Sequence, residues 1–351
     1  MSDEGELFKI IKSKNADWSH FSRFLELHKE KLEPFFNLAQ EITRKNFRNL
    51  LKIYVPNVRF HAISVTGSEC SLNCAHCNKK YLEGMKSITS DSDLHRYLLD
   101  FYKNGGIGAL ISGGCDLDGS VPLINLLDTV KKIKNETNLI INTHTGLLQE
   151  ETAKKLAEAG VDIVSFDINM DEDIIRNIYH LEKNVEDYKR AVKILKKYNL
   201  NIVPHICIGL YYGKLHKELD SIKFIKKSRI NPSLIVLIAL IPPKNSNEKF
   251  ERPDPFDIAK VVAAIRFIFP NTEISLGCMR PRGDIKIEVE KRAIKAGITR
   301  IEIPSPHTLN WLKSFNPDIN FEFYSACCAI PVEFENLAKS NDSDIKRYLN
   351  I

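Results

Sequence analysis

The chain has 351 residues, 43% of them hydrophobic, enough for one large core or two domains. Its 50 Lys and Arg barely exceed its 45 Asp and Glu, so the net charge is only +5. That balance, with no basic face interleaved with aromatics, argues against a nucleic-acid partner. The lysine pairs at 131–132, 196–197 and 226–227 fall near the ends of predicted helices, where cations suit the helix dipole. The longest apolar run, around Leu234 to Ile241, is too short to cross a bilayer. The acidic opening Met1-Ser2-Asp3-Glu4 carries no apolar export segment. Eight cysteines in such a chain point to metal or redox chemistry rather than disulfides, and a cytoplasmic, oxygen-sensitive protein is expected.

From Asp3 to about Asn49 the apolar spacing is helical: Phe21, Phe24, Leu25 and Leu27, then Leu38, Ile42 and Phe47. Pro34 separates two helices, because it suits a first turn and breaks an interior. Residues 1–55 therefore read as a helical N-terminal extension. Beyond Tyr54, short apolar runs alternate with amphipathic segments. Strands are predicted at 60–65, 108–111, 139–142, 162–166, 201–208, 233–241, 273–276 and 299–303. Helices are predicted at 93–102, 123–134, 150–158, 185–198, 217–227, 255–267 and 285–295. Ser92 or Asp91 caps the first of these, Asp284 the last, and Gly160 and Gly297 follow helices.

Strands alternating with helices imply a parallel sheet with right-handed crossovers. Eight such units over residues 56–305 make an α/β, (β/α)8 TIM-type barrel, full or nearly full, with an open or partial barrel as the alternative. Residues 306–351 form a C-terminal extension whose last stretch, Ser340 to Ile351, is polar and expected to be loose. Active sites in this fold gather at the C-terminal ends of strands. Those ends hold Cys70, then Ser112-Gly113-Gly114-Cys115, Asn142 and His144, Asp167 and Asn169, His205, Cys207 and Gly209, and finally Cys278 and Arg280.

The chemistry centres on Cys70-Ser71-Leu72-Asn73-Cys74-Ala75-His76-Cys77. Three thiols at spacings of four and three are one ligand short of a closed zinc or iron–sulfur site, which leaves a metal atom open to a substrate or cofactor. A zinc knuckle using His76 or a remote fourth ligand is the alternative. The paired glycines at Gly113 and Gly114 permit close backbone approach to a ligand. Asp167, ending a strand, is an acid placed to bind ribose hydroxyls. Cys207 shares a strand face with His205 and reads as a core cysteine. Arg280 and Arg282 read equally as a carboxylate clamp or as surface arginines.

The stretch resembles the CxxxCxxC signature of the radical S-adenosylmethionine (AdoMet) enzymes. The resemblance implies that Cys70, Cys74 and Cys77 each hold one iron of a 4Fe–4S cube whose fourth iron is chelated by AdoMet. An electron from the cube then splits the sulfonium, and the 5′-deoxyadenosyl radical removes hydrogen from an unactivated carbon. His76 stands where the family has an aromatic residue near the adenine. Gly113 and Gly114 match a Gly-Gly-Glu segment that meets the AdoMet amino group, with Cys115 in place of the glutamate. Gly209 matches a strand-five segment near the adenine.

The resemblance extends from roughly Tyr54 to Pro331 with the biotin-synthase-related proteins. It includes Ser64-Val65-Thr66-Gly67, His144-Thr145-Gly146-Leu147, Gly277-Cys278-Met279-Arg280-Pro281-Arg282-Gly283 and the pair Cys327-Cys328. Within that group the chain is most like a subunit of the two-protein lipoyl synthase found chiefly in archaea. This implies sulfur insertion at C6 or C8 of an octanoyl chain on a carrier protein or peptide, a second radical AdoMet subunit and an electron donor. The late cysteines are then expected to hold an auxiliary iron–sulfur cluster: Cys278, one or both of Cys327 and Cys328, and Cys115 as a possible fourth ligand. The cysteine motif that precedes the radical site in single-protein lipoyl synthases is absent, so its ligands do not carry over. Another radical AdoMet reaction (methylation, rearrangement or other sulfur insertion) and a zinc-stabilised binding module are the alternatives.

Overall fold

The computed structural model describes residues 3–56, 59–244, 249–340 and Ile345. Three helices open the chain: α1 (Asp3–Lys12), α2 (Trp18–Glu26) and α3 (Glu33–Phe47). Asp17 caps α2 by accepting from the N–H groups of Ser19 and His20, while Pro34 lies in the first turn of α3, where its missing donor costs nothing. Two strands follow, β1 (Leu50–Tyr54) and β2 (Phe60–Ser64), then a two-residue edge strand β3 (Lys86–Ser87) and α4 (Asp91–Lys103). The cap of α4 is Ser90, whose side chain accepts from Asp93 N–H, rather than Asp91 or Ser92.

Alternation then runs through β4 (Gly108–Ser112), α5 (Leu127–Glu136), β5 (Ile140–His144), α6 (Glu150–Glu158), β6 (Ile163–Asp167) and α7 (Val185–Lys197). It continues with β7 (Ile202–Ile208), α8 (Glu218–Lys227), β8 (Leu234–Ala239), α9 (Pro255–Ile268), β9 (Glu273–Leu276), α10 (Asp284–Lys295) and β10 (Arg300–Glu302). The chain closes with α11 (Pro306–Phe315), β11 (Asn320–Tyr324) and the short α12 (Glu335–Ala338). Asp284 is the first residue of α10, and Gly283 holds the cap position. Gly160 and Gly297 follow their helices with φ of +71° and +101°, conformations that favour glycine.

All eight expected strands form, and they are neighbours in sequence order from β4 to β10 with β2 beside β4. Every ladder is parallel, and the full order is β11-β1-β10-β9-β8-β7-β6-β5-β4-β2-β3. One face of the sheet carries the helices. The other face buries Phe60, Ile140, Ile163, Val203, Leu234 and Val236 with Tyr54 and Tyr324, covered by Ala326, Cys328, Ala329 and Ile330. A flat sheet of eleven strands is about 48 Å across, and one short segment cannot roof it. The sheet therefore curls on itself, giving the TIM-type architecture in its open form: among the described residues no ladder joins β3 to β11.

Three strands were not expected: β1, the edge strand β3 and β11. Leu50–Tyr54 pairs with both β10 and β11, inserting between the last barrel strand and the C-terminal extension. Helix α9 is apolar all round because it is covered on both sides, by the sheet and by α2 and α3. Phe24 of α2 meets Phe267 edge-on at 5.7 Å, and buried Arg266 caps carbonyls of Gly297, Pro270 and Thr272. The polar chain end expected to be loose lies outside the described residues, apart from Ser340 and Ile345.

Candidate active site

The cysteine loop leaves β2 and is tied to the end of β4. Val65 N–H donates to Ser112 O, and the Thr66 hydroxyl accepts from Gly114 N–H (2.7 Å) while donating to Glu69 O (2.8 Å). Gly114 is required here: a Cβ would meet Glu69 O at 2.0 Å and the Cys70 Cβ at 2.5 Å. That close approach sets Cys115 against Cys70, with Cys115 N–H donating to Cys70 Sγ at 3.2 Å and Ser71 N–H to Cys115 O at 2.7 Å.

The other side of the loop docks on a π-helical turn at Ile174–Ile178. Ala75 N–H donates to Ile178 O (2.7 Å), the Cys74 thiol points to Tyr179 O (3.5 Å), and the His76 ring lies 5.4 Å from that of Tyr179. Such turns recur at functional sites because they re-aim side chains out of helical register. After Cys77, Asn78 and Lys79 both take left-handed φ, of 45° and 60°. This folds the backbone back so that the N–H groups of Lys79, Lys80 and Tyr81 aim at the Cys77 sulfur, a nest suited to an anion.

Burial pushes the Cys74 thiol up to about 12, and its neighbours Cys77 and Cys70 push the same way. Cys77 is raised mainly by burial, against the backbone amides. Three crowded thiols become thiolates only beside a cation, so the site asks for a positive metal group. Sulfurs on one tetrahedral ion lie about 3.8 Å apart. Among the described residues the sets of donors within 4.8 Å of one another are Glu302 with Cys327 and Cys328, and Asp171 with Asp173 and His216; Cys70, Cys74 and Cys77 do not form one. Three thiolates on one loop fit a cube whose irons each take one of them. His76 is half-buried and neutral, lowered to about 4 by desolvation, with its buried Nδ1 lacking a partner, and it joins no single-ion set.

Residues 64–225 match the family model of the radical SAM superfamily. The matched stretch carries the Cys70 loop and the strands from β4 to β7. It is 25% identical over 284 residues to the biotin synthase of Buchnera aphidicola, covering 77% of this chain and 78% of that one. It is 24% identical over 283 residues to the biotin synthase of Bacillus pumilus, covering 76% and 79%. By fold it is similar to the FeFe-hydrogenase maturase HydG of Carboxydothermus hydrogenoformans (TM-score 0.65, 15% identity, 86% of this chain and 70% of that one). Methylornithine synthase PylB gives TM-score 0.61 at 14% identity over 98% and 95%. That family model implies a 4Fe–4S cube and AdoMet, and Cys70, Cys74 and Cys77 would fit such a cube on the grounds above.

The remaining candidate residues surround the same end of the sheet. His144 Nδ1 stands 4.0 Å from Asp167 Oδ2, and His205 meets the His144 ring edge-on at 4.9 Å. The Asp167 carboxylate touches solvent yet is ringed by protein, and that desolvation raises it while His144 opposes. Burial lowers His205 to about 3, and its Nδ1 faces Val203 O at 3.0 Å. A pocket at the ends of β6 and β7 is lined by Asp167, Asn169, Asp171, Tyr179, Cys207 and Glu218. Glu218 orders its rim by accepting from Gly209 N–H (2.8 Å) and His216 N–H (2.7 Å). Gly209 has φ +72°, and a Cβ there would strike Pro253.

The late cysteines converge. Cys278 follows β9, Cys327 and Cys328 follow β11, and the thiols of Cys278 and Cys328 both reach the carboxylate of Glu302 at the end of β10. Cys115 is not with them. The close packing allowed by Gly114 keeps it beside Cys70, and the residue completing the late set is Glu302. Arg280 is neither a surface residue nor a free clamp: it is buried, donating to Gly277 O, Glu302 O, Ile303 O and the carboxylate of Glu290. It thereby fixes the Cys278 turn. Sequence reasoning missed Glu302, Glu218 and Tyr179. Glu302 could have been found, since it sits at the C-terminal end of a predicted strand.

Proposed function

We propose that this radical SAM enzyme inserts sulfur, as one subunit of a two-protein lipoyl synthase acting at C6 or C8 of a protein-bound octanoyl chain. The observation that carries the reading is the gathering of Cys278, Cys327 and Cys328 at a second place, away from the Cys70 loop. A second set of thiols suits a reaction that does more than remove hydrogen. One that adds sulfur needs an auxiliary iron–sulfur cluster to supply it. Relatives named as biotin synthases support the sulfur-inserting group.

The bound cube and AdoMet supply a radical that takes hydrogen from carbon. The chain's own residues hold and orient. Cys70, Cys74 and Cys77 carry the cube, Gly113 and Gly114 offer backbone to AdoMet, and His76, Asp167 and Gly209 face its nucleoside. The octanoyl chain runs into the barrel mouth, at the C-terminal ends of the strands. The partners are an octanoylated carrier protein or peptide, a second radical SAM subunit and an electron donor, in the cytoplasm. Among the described residues no helix is long and apolar enough to cross a membrane.

Anaerobic reaction with reductant, AdoMet and an octanoyl-lysyl peptide, with and without the partner subunit, tests this. A peptide mass increased by sulfur is the expected product. Deoxyadenosine without sulfur in the peptide would overturn the lipoyl reading and leave the broader class.

A further inference from the structure

We propose that Glu302 is an oxygen ligand to the metal group held by Cys278, Cys327 and Cys328. The inference rests on the reading that these cysteines hold an auxiliary cluster, and adds a donor that the cysteine pattern does not contain. A Glu302 carboxylate oxygen and the sulfurs of Cys327 and Cys328 all lie within 4.8 Å of one another, and the Cys278 thiol bonds to the same carboxylate. All four donors can therefore reach one metal group.

The carboxylate is held there from several sides. Cys328 N–H donates to Glu302 Oε2 at 3.2 Å. Arg280 holds the carbonyls of Glu302 and Ile303 at 2.9 and 3.1 Å, and Lys286 adds a bond to Ile303 O at 3.0 Å. Ile303 itself takes φ +45°, an uncommon conformation for a β-branched residue that persists only where the surroundings enforce it.

The chemistry of metal binding then assigns the role. A carboxylate 4% exposed and packed against the sulfurs of Cys278, Cys327 and Cys328 asks for a cation; Arg280 approaches from its backbone side, and a metal held by the three cysteines would supply the other. Oxygen is a harder and more exchangeable donor to iron than thiolate. Glu302 thus marks the metal position that opens.

The test uses full-length protein carrying Cys70→Ala, Cys74→Ala and Cys77→Ala, reconstituted with 57Fe, so that only the second site contributes. The parent is expected to show an oxygen-ligated iron component in its Mössbauer spectrum. Glu302→Gln is expected to lose that component and to release iron to a chelator about 10-fold faster. Glu302→Cys is expected to keep the iron with an all-sulfur spectrum, which controls for folding. A Glu302→Gln spectrum and release rate equal to the parent's would overturn the inference, even if Cys278→Ala strips the iron. Iron unchanged by Cys278→Ala would instead remove the auxiliary-cluster reading beneath it.

Discussion

The two cysteine sites are built on opposite plans. The first draws its three thiols from eight consecutive residues, and its loop is shaped by bonds to the nearby ends of β4 and the Ile174–Ile178 turn. The second draws its donors from three separate strand ends, after β9, β10 and β11. Its placement depends on a buried ionic network at the far end of the sheet. There Glu335 of α12 binds Lys52 (2.8 Å), Arg300 (2.7 Å) and the Tyr54 hydroxyl (2.7 Å), while Glu273 pairs with Lys52 and Arg300. That network anchors the C-terminal segment whose residues 326–330 enter the concave core. A local site needs only its loop; a dispersed one needs the whole fold.

This contrast can be broken or sharpened by substitution. The largest effect is expected from Cys74→Ala, which should abolish deoxyadenosine formation while leaving second-site iron in place. Persistent AdoMet cleavage would remove the first site from the chemistry. Cys278→Ala should lower bound iron by about half, as expected for loss of one of two clusters, and leave uncoupled AdoMet cleavage detectable.

Glu335→Ala acts at a distance. It leaves Arg300 and Lys52 buried with Glu273 alone, a loss of about 3–5 kcal/mol by analogy with broken buried pairs. Urea denaturation should show that loss, together with reduced second-site iron. A change below about 1 kcal/mol would mean that the network does not anchor the segment. Gly114→Ala should cost about 1–3 kcal/mol through overpacking against Glu69 and Cys70, and should lower first-site iron only.

The smallest effect samples the middle of the sheet, between the two sites in strand order. His205 is buried and neutral, its pKa lowered to about 3 by burial, against about 6.5 in an unfolded chain. Between those values the unfolded chain binds more protons, so stability falls as pH drops from about 6.5 toward 3. The slope approaches at most about 1.4 kcal/mol per pH unit from this one group. His205→Gln should flatten denaturation midpoints measured between pH 7 and 5; an unchanged slope would mean that His205 is not buried as the neutral form.

The elements with regular patterns were readable before any coordinates. Strands such as Glu273–Leu276 and helices such as Glu150–Glu158 fall where periodicity puts them. Leu50–Tyr54 was not readable as part of the sheet, because its apolar residues continue those of α3 and its partners lie some 250 residues away. Arg280 was ambiguous for a related reason: nothing near it in sequence reveals that Glu290 and two carbonyls are waiting to bury it. Cys115, expected as a possible fourth ligand of the late set, lies against Cys70, because a Gly-Gly turn shows freedom but not which neighbour it lets in.

Sequence alone determined the alternating strands and helices, the one-ended distribution of reactive groups, and the open three-thiol motif, because each is written in spacing over a few residues. Tertiary structure alone decided that Glu302 stands among the late cysteines, that Cys115 lies against the first loop, and that among the described residues no ladder closes the sheet. Those facts depend on distances between residues far apart in the chain, which are set by packing and by a buried network of charges, and no local pattern carries them.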